Sequence, residues 1–377
     1  GHARGRGCGR GGEEGEKVPM IDHCEPSPDP KALSGWTLIL GTDPRAAATL
    51  AALVFVWYGS HTYSVIETGR VIKEQRETDP MVHVTLTLWQ VCMGVVMCVL
   101  WVGFERVRGL CDLLYGKDEP GAAPRCAHVA AVVALAGMCQ FAGTAGTNAS
   151  MASVGSTNTQ LIKATEPIYT AVLQQLILAK GTPPVSVCAL GLIFAGTLVT
   201  TRAGSDALEL SARLLPSLLA CVSLPLMRVV TKTSGLEALR SGADTLLLLS
   251  SVSLLPATMI AAAHYTRVGM PPFDMRFVSS AVLFNLYQLA SLSVLRRVDA
   301  VTHSIGNAAK RVVVITACAL VFDQNVGPRR AAGIGVAFFG IALYAEGLSG
   351  GLSCKRIVLR SLLLSALPMA LLLRRAA

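Results

Sequence analysis

The chain has 377 residues, of which 52% are hydrophobic and only 15% are charged, and its mean hydropathy is +0.52. Soluble proteins carry roughly 25% charged residues, so this composition excludes a soluble enzyme and a disordered chain alike. The net charge of +9 fits basic loops at a membrane surface or an anionic substrate. Nucleic-acid binding is not expected, because no basic stripe with interleaved aromatic residues lies on a polar segment.

Ten apolar runs are long enough to cross a bilayer, which takes about 20 residues. Short polar or turn-rich joints separate the runs, and no joint leaves room for an extramembrane domain. The sequence therefore predicts an all-α polytopic membrane protein with one ten-span domain over residues 47–348. The predicted spans are 47–67, 83–104, 125–147, 156–179, 184–201, 211–230, 243–264, 276–295, 300–322 and 330–348.

The two ends of the chain differ from this pattern. Residues 1–46 carry Gly/Arg and acidic clusters, and we expect them to be disordered or the remnant of a targeting region. Residues 349–377 form a tail in which 356–375 is apolar between basic ends, as in an interfacial helix or a marginal eleventh span. The 11 cysteines show no CxxC spacing, so neither a disulfide framework nor a metal site is expected.

Two halves of the chain match at an offset of 144 residues. Tandem copies with five spans each must have opposite orientations, which is the inverted-repeat design of secondary transporters with a site near the midplane. We expect repeat one at about 47–201 and repeat two at about 211–348. The offset pairs a loop proline and two glycines of each half, namely Pro184 with Pro328, Gly191 with Gly335, and Gly196 with Gly340.

Three cations lie deep inside predicted spans. Lys310 and Arg311 come about ten residues into the ninth span, near the middle of the bilayer at 1.5 Å per residue. Lys163 lies at a similar depth in the fourth span. A charge at this depth costs about 2.5–3.5 kcal/mol on insertion scales and is a functional hypothesis by default. Such a set suits phosphate, because Arg donates bidentate hydrogen bonds and Lys supplies a point charge.

Acidic residues leave an alternative open. Glu67 and Glu166 are placed at a depth where they could neutralise the cations. Glu166 follows Lys163 by three residues, so a helix brings the two side chains together and leaves the adjacent cations of the ninth span for an anion. Arg228, near the end of the sixth span, is expected to anchor at the membrane interface.

Uncharged polar residues accompany the cations. Thr144 and Thr147 lie at the end of the third span, Tyr287 lies within the eighth, and His303 precedes Lys310 by about two turns. Hydroxyl groups of this kind often bond back to their own helix, so a purely structural role stays open for each. No pairing of a nucleophile with a base appears, and an enzyme is therefore not expected.

The same residues carry a resemblance to a known family. THSIGNAAKRVVVI (302–315) and GIGVAFFGIALY (333–344) resemble the ninth and tenth spans of the plastid phosphate translocators. These form the triose-phosphate translocator family within the drug/metabolite transporter superfamily. LIKATEPIYTAVLQQLIL (161–178) resembles that family's fourth span, GTAGTNASMASVGST (143–157) resembles its Gly-His-x-x-Thr-Asn segment, and FNLYQLAS (284–291) resembles part of its eighth span.

The resemblance covers roughly 45–348 and implies roles for particular residues. Phosphate-binding roles fall on Lys163, Lys310 and Arg311, and the positions that complete the site are Thr147 and Tyr287. Thr144 and His303 are further candidates for contacting the carbon moiety. Two of the family's histidines are replaced here, by Thr144 and by Gln160, which leaves the organic substrate open.

The resemblance implies an antiporter that exchanges inorganic phosphate for a phosphorylated C3, C5 or C6 metabolite. The candidates are triose phosphate, 3-phosphoglycerate, phosphoenolpyruvate and sugar phosphate, and the implied location is the plastid inner envelope. One alternative is a carrier of nucleotide sugars or related organic anions in the Golgi or the ER membrane; another is a membrane scaffold that does not transport. The expected partners are these anions and the lipid bilayer, with no cofactor, and the oligomeric state is not predicted.

Overall fold

The computed structural model describes residues 44–103, 123–179, 183–201, 207–233, 242–269, 274–295, 297, 300–322 and 327–348. The tail at 349–377 and nearly all of the polar segment 1–46 lie outside the described residues. All regular structure within the described ranges is α-helical. The helices are α1 (Pro44–Gln75), α2 (Val82–Val102), α3 (Ala123–Val154), α4 (Ser156–Lys163), α5 (Glu166–Leu178), α6 (Pro184–Thr201), α7 (Ala207–Thr233), α8 (Gly242–Val268), α9 (Met275–Leu295), α10 (Ala300–Val321) and α11 (Pro328–Leu348).

The helices have the length and apolar character of membrane spans. Within the described ranges, five are long and apolar enough to cross a bilayer, namely Val82–Val102, His128–Val154, Leu214–Thr231, Gly242–Val268 and Met275–Val294. Large apolar side chains such as Phe55 and Trp101 lie outside the protein core, with 80% and 77% of their surface exposed, as expected for contact with lipid. The chain is an all-helical polytopic membrane protein, and the count of ten spans stays a prediction.

Glycine and proline set several helix boundaries. Gly155 separates α3 from α4 with a φ of 82°, a conformation that costs glycine little because it has no Cβ. Pro184 and Pro328, which the internal offset pairs, are the first residues of α6 and α11. Proline is tolerated there because the first turn of a helix has no use for its missing N–H.

The predicted fourth span, 156–179, is not one continuous helix, and this corrects the sequence-based prediction. It consists of α4 and α5, separated by a turn at Ala164 and Thr165. Pro167 explains the break, because a proline cannot donate to the carbonyl four residues earlier, here that of Lys163, and its ring clashes with that carbonyl. The equivalent stretch of the second half, α10, is continuous.

The packing of the helices follows the internal repeat. The offset relates α1 to α7, α2 to α8, α3 to α9, α4 and α5 to α10, and α6 to α11. When the halves are exchanged, the packed pair α3–α7 becomes α9–α1, α3–α8 becomes α9–α2, and α5–α7 becomes α10–α1, all of which are observed. The pairs α2–α8 and α6–α11 map onto themselves and are also observed. This is the pattern of a two-fold relation, in which contacts are reciprocal.

The contact between α6 and α11 is reciprocal at the level of residues. A Cβ added to Gly196 would lie 2.5 Å from the Ala337 nitrogen, and one added to Gly340 would lie 2.8 Å from the Ile193 nitrogen. The offset pairs Gly196 with Gly340 and Ile193 with Ala337, so the two contacts are equivalent. Both glycines allow the two backbones to approach closely, as small residues commonly do between membrane helices.

Candidate functional site

One cation of the site lies at the break between α4 and α5. Lys163 is the last residue of α4, is only 6% exposed, and donates a hydrogen bond of 2.8 Å to the Thr147 hydroxyl. Thr147 in turn donates to the carbonyl of Gly143 at 2.6 Å, one turn earlier on α3. This back-bond fixes the hydroxyl so that its lone pairs face Lys163. Helices α3 and α4 thus orient the ammonium group together.

A second cation is held by polar groups at the same break. Arg311 on α10 donates from Nη1 to Gln160 Oε1 and from Nη2 to Glu166 Oε1, both at 2.8 Å. Arg311 is 8% exposed and Glu166 is 5% exposed, so this ion pair is buried. A buried charge is tolerated only when it is paired and hydrogen-bonded, and both conditions are met here.

The pairing of charges differs from the simple alternative drawn from the sequence. Glu166 lies 3.7 Å from Lys163 but only 2.8 Å from Arg311, so its closer partner is the arginine of the other half of the chain. Arg228, expected at the membrane interface, also reaches the other carboxylate oxygen of Glu166, at 3.5 Å, with 41% of its side chain exposed. Glu166 is therefore shared by three cations.

Lys310 has different surroundings. It is 4% exposed, and no hydrogen bond or ion pair reaches its ammonium group from the part of the chain that the structure describes. Its Nζ lies 5.0 Å from the centre of the Trp57 ring and 5.4 Å from that of Tyr287. Aromatic faces attract a cation by about 2 kcal/mol when it is desolvated, which is much less than its loss of hydration. The Lys310 charge therefore calls for an anion.

Helix α1 supplies an aromatic wall to the site. The Tyr58 hydroxyl donates to the carbonyl of Gly306 on α10 at 2.6 Å, and a Cβ on Gly306 would lie 3.1 Å from the Trp57 ring. His61, one turn further along α1, packs against Tyr287 with ring centres 4.3 Å apart. Sequence reasoning missed these three residues of α1. The available signal was a histidine within an apolar span, which is a functional hypothesis by default.

The remaining candidates are distributed as follows. Thr144 is buried on α3, about one turn before Thr147. His303 belongs to α10, in a stretch whose side chains lie outside the described part of the structure. The five other predicted residues lie close to one another, on α3, at the α4–α5 break, on α9 and on α10.

A separate polar cluster stabilises the interior beside the site. Asn148 follows Thr147 but donates to the side chains of Thr87 at 3.0 Å and of Gln90 at 2.8 Å, both on α2. Asn285 on α9 donates to the backbone carbonyl of Gln90 at 2.8 Å. These bonds join α2, α3 and α9 and assign the two asparagines to packing between helices.

Comparison with known proteins agrees with this picture. A family model described as the Triose-phosphate Transporter family matches residues 48–345. The chain belongs to this family. Its match spans all eleven described helices except the first few residues of α1 and the last few of α11. The resemblance seen in the sequence motifs is thereby confirmed.

Relatives in this family are plastid translocators. The chain is 27% identical over 313 residues to the chloroplastic phosphoenolpyruvate/phosphate translocator 1 of Arabidopsis thaliana, covering 79% of this chain and 71% of the relative. It is 27% identical over 315 residues to the triose phosphate/phosphate translocator of non-green plastids from Brassica oleracea var. botrytis, covering 79% and 72%. It is 29% identical over 312 residues to the phosphoenolpyruvate/phosphate translocator 1 of Oryza sativa subsp. japonica, covering 79% and 71%.

Proposed function

We propose that the chain is a secondary transporter that exchanges inorganic phosphate for a phosphorylated C3, C5 or C6 metabolite across a plastid membrane, the inner envelope. The observation that carries the proposal is Lys310, a buried ammonium group without an acidic partner among the described residues, beside the paired Arg311 and Lys163. Family membership and the names of the relatives support the same class of cargo.

The charge balance of the site supports a dianion as cargo. Lys163, Lys310 and Arg311 carry three positive charges, and Glu166 is the carboxylate that pairs with Lys163 and Arg311. Two positive charges are thus left over, and Arg228 is screened by water because 41% of its side chain is exposed. A phosphate monoester carries about 1.5 to 2 negative charges at neutral pH, which is close to the amount required.

The same balance supports coupled exchange. An empty site would have to cross the closed state of the carrier with buried, uncompensated cations, at a cost of several kcal/mol. A bound dianion removes most of this cost, so the loaded carrier reorients and the empty one does not. The reorientation itself is a rocking of the two halves around the site, which the reciprocal packing of α6 and α11 would permit.

The proposed roles follow the contacts. Lys310, Arg311 and Lys163 hold the phosphate, Thr147 orients Lys163 and donates to a phosphate oxygen after turning from Gly143, and Tyr287 hydrogen-bonds the phosphate or the carbon moiety. Glu166 takes no part in binding the anion; it keeps Arg311 and Lys163 in place and reduces their mutual repulsion.

The test is uptake of labelled phosphate into proteoliposomes preloaded with phosphate, 3-phosphoglycerate, phosphoenolpyruvate, glucose 6-phosphate or no anion. We expect uptake only with a loaded partner and at least a hundredfold loss in Lys310→Ala. Lys310 is a suitable target because its removal leaves no described carboxylate without a partner. Lys73→Ala, which removes an exposed cation at the end of α1, is the matched control and should exchange normally.

The outcome decides between the proposal and its alternatives. Absence of exchange with every preload, in protein that still unfolds cooperatively, would refute the phosphate reading. Uptake driven by nucleotide sugars would then identify a nucleotide-sugar carrier. No uptake of either kind would leave the scaffold.

A further inference from the structure

His61 is a buried polar side chain that the proposed phosphate site leaves unexplained. It lies on α1, is 5% exposed, and neither of its ring nitrogens has a hydrogen-bond partner among the described residues. Buried polar groups are nearly always hydrogen-bonded in proteins, because burial removes their bonds to water. An imidazole with both nitrogens unsatisfied therefore indicates a partner that is absent from the protein itself.

The ring of His61 borders the phosphate site. It packs against Tyr287, with ring centres 4.3 Å apart and ring planes inclined by 58°. Tyr287 is also one of the two aromatic rings that Lys310 faces, at 5.4 Å. His61 lies within electrostatic reach of Lys310, Arg311 and Lys163. A ligand whose phosphate group is bound by these cations can thus extend its carbon part toward Tyr287 and His61.

We propose that His61 binds hydroxyl groups on the carbon part of the cargo and so selects phosphorylated sugars and polyols over phosphoenolpyruvate. A neutral imidazole offers one N–H donor and one nitrogen acceptor, on opposite edges of the ring. A hydroxyl group both donates and accepts, so a ligand with several hydroxyl groups satisfies both nitrogens. Phosphoenolpyruvate has no hydroxyl group, and inorganic phosphate has no carbon part. This inference rests on the proposed function of the site.

The experiment compares exchange of one anion with another in the same proteoliposomes. Labelled phosphate is taken up against internal phosphate, phosphoenolpyruvate or glucose 6-phosphate by the wild type, by His61→Phe and by His83→Phe. Phenylalanine keeps an aromatic ring against Tyr287 but has no polar atoms. His83 is the matched control, a histidine near the start of α2 whose Nδ1 also lacks a described partner.

We expect His61→Phe to exchange phosphate for phosphate within about twofold of the wild type and to lose at least tenfold in kcat/KM for glucose 6-phosphate. Tenfold corresponds to about 1.4 kcal/mol of lost transition-state binding. Exchange of phosphoenolpyruvate should not change, and His83→Phe should behave as the wild type. The increase in Tm that glucose 6-phosphate causes should be lost in His61→Phe, whereas the increase caused by phosphate should remain.

Three results would overturn this inference. The first is a wild type that exchanges phosphoenolpyruvate but not glucose 6-phosphate, and the second is an unchanged preference in His61→Phe. The third is an equal loss for all anions in His61→Phe and in His61→Asn, a smaller polar variant that serves if the phenylalanine prevents folding. A wild type that exchanges no phosphate at all would instead refute the proposed function, so the two failures are distinguishable.

Discussion

The residues of the site divide into those that bind and one that compensates. Glu166 lies 2.8 Å from Arg311, 3.7 Å from Lys163 and 3.5 Å from Arg228, whereas Lys310 has no described acidic partner. The carboxylate therefore makes an assembly of cations tolerable inside the membrane without cancelling it. An anion site needs both properties, because excess positive charge would unfold the protein and full neutralisation would leave nothing to attract the cargo.

Replacing Glu166 by glutamine tests this division. Removing one partner of a buried ion pair costs roughly 3–5 kcal/mol, because the other charges remain buried. We expect Tm in phosphate-free detergent to fall by roughly 5–10 °C and phosphate to restore much of the loss, since the dianion replaces the missing negative charge. Differential scanning fluorimetry with and without phosphate measures both effects.

The control for this variant is Glu67→Gln. Glu67 pairs with Arg70 at 2.8 Å, but 47% of the Arg70 side chain is exposed to the surroundings. Loss of this pair should lower Tm by much less, and phosphate should not reverse the change. A Glu166→Gln protein as stable as the wild type in the absence of phosphate would show that the three cations do not depend on the carboxylate.

At the scale of elements, the break between α4 and α5 places the site. It puts Lys163 in the last turn of one helix and Glu166 in the first turn of the next. Both charges thereby complement the helix dipoles, since cations are favourable at the C-terminus and anions at the N-terminus. The carbonyls freed by the break are satisfied locally: Thr165 donates to Ile162 at 2.7 Å, and Cys221 on α7 lies 3.6 Å from the same oxygen.

Glycines in α6 give a sharp test of the contact with α11. A Cβ at Gly196 would meet the backbone of Ala337 and Gly333 at 2.5 and 2.6 Å, whereas a Cβ at Gly191 would meet nothing within 4 Å. We expect Gly196→Ala to lower Tm by several degrees and to slow phosphate exchange, because two backbones must separate. Gly191→Ala, the matched control on the same helix, should be neutral or slightly stabilising. Equal behaviour of the two variants would contradict the close contact.

For the whole molecule, the reciprocal contacts relate the halves that share the site. The pairs α1 with α7, α3 with α9, and α4–α5 with α10 each contribute side chains to it, from Trp57 and His61 on α1 to Arg228 on α7. A site built from both halves is reshaped whenever the halves move relative to each other. This arrangement favours alternating access over a fixed channel.

Coupling between loading and reorientation is the prediction at this scale. Efflux of internal labelled phosphate should be at least tenfold faster with phosphate outside than without it, because each 1.4 kcal/mol of penalty on the empty carrier is a factor of ten in rate. The measurement is a filtration assay of loaded proteoliposomes diluted into buffers of equal ionic strength. Efflux that is equally fast without external anion would indicate uniport and refute the exchange mechanism.

Much of the fold and of the site was predictable from the sequence. Apolar periods of about 20 residues predict spans, and the cost of charge in lipid singles out Lys163, Lys310 and Arg311 without any structure. The internal offset pairs Pro184 with Pro328, and both turned out to be the first residues of their helices. These features are local or additive along the chain, which is why the sequence alone reveals them.

The sequence by itself determined the class of protein, its family and which cations matter, whereas the tertiary structure decided how they are used. Glu166 prefers Arg311, 145 residues away, to the near neighbour Lys163, and His61 borders the ring of Tyr287 on another helix. Such pairings depend on the rotation and depth of separate helices, and lipid-facing and protein-facing residues are equally apolar in a membrane sequence. Only the packed molecule shows which polar groups face one another and which wait for a ligand.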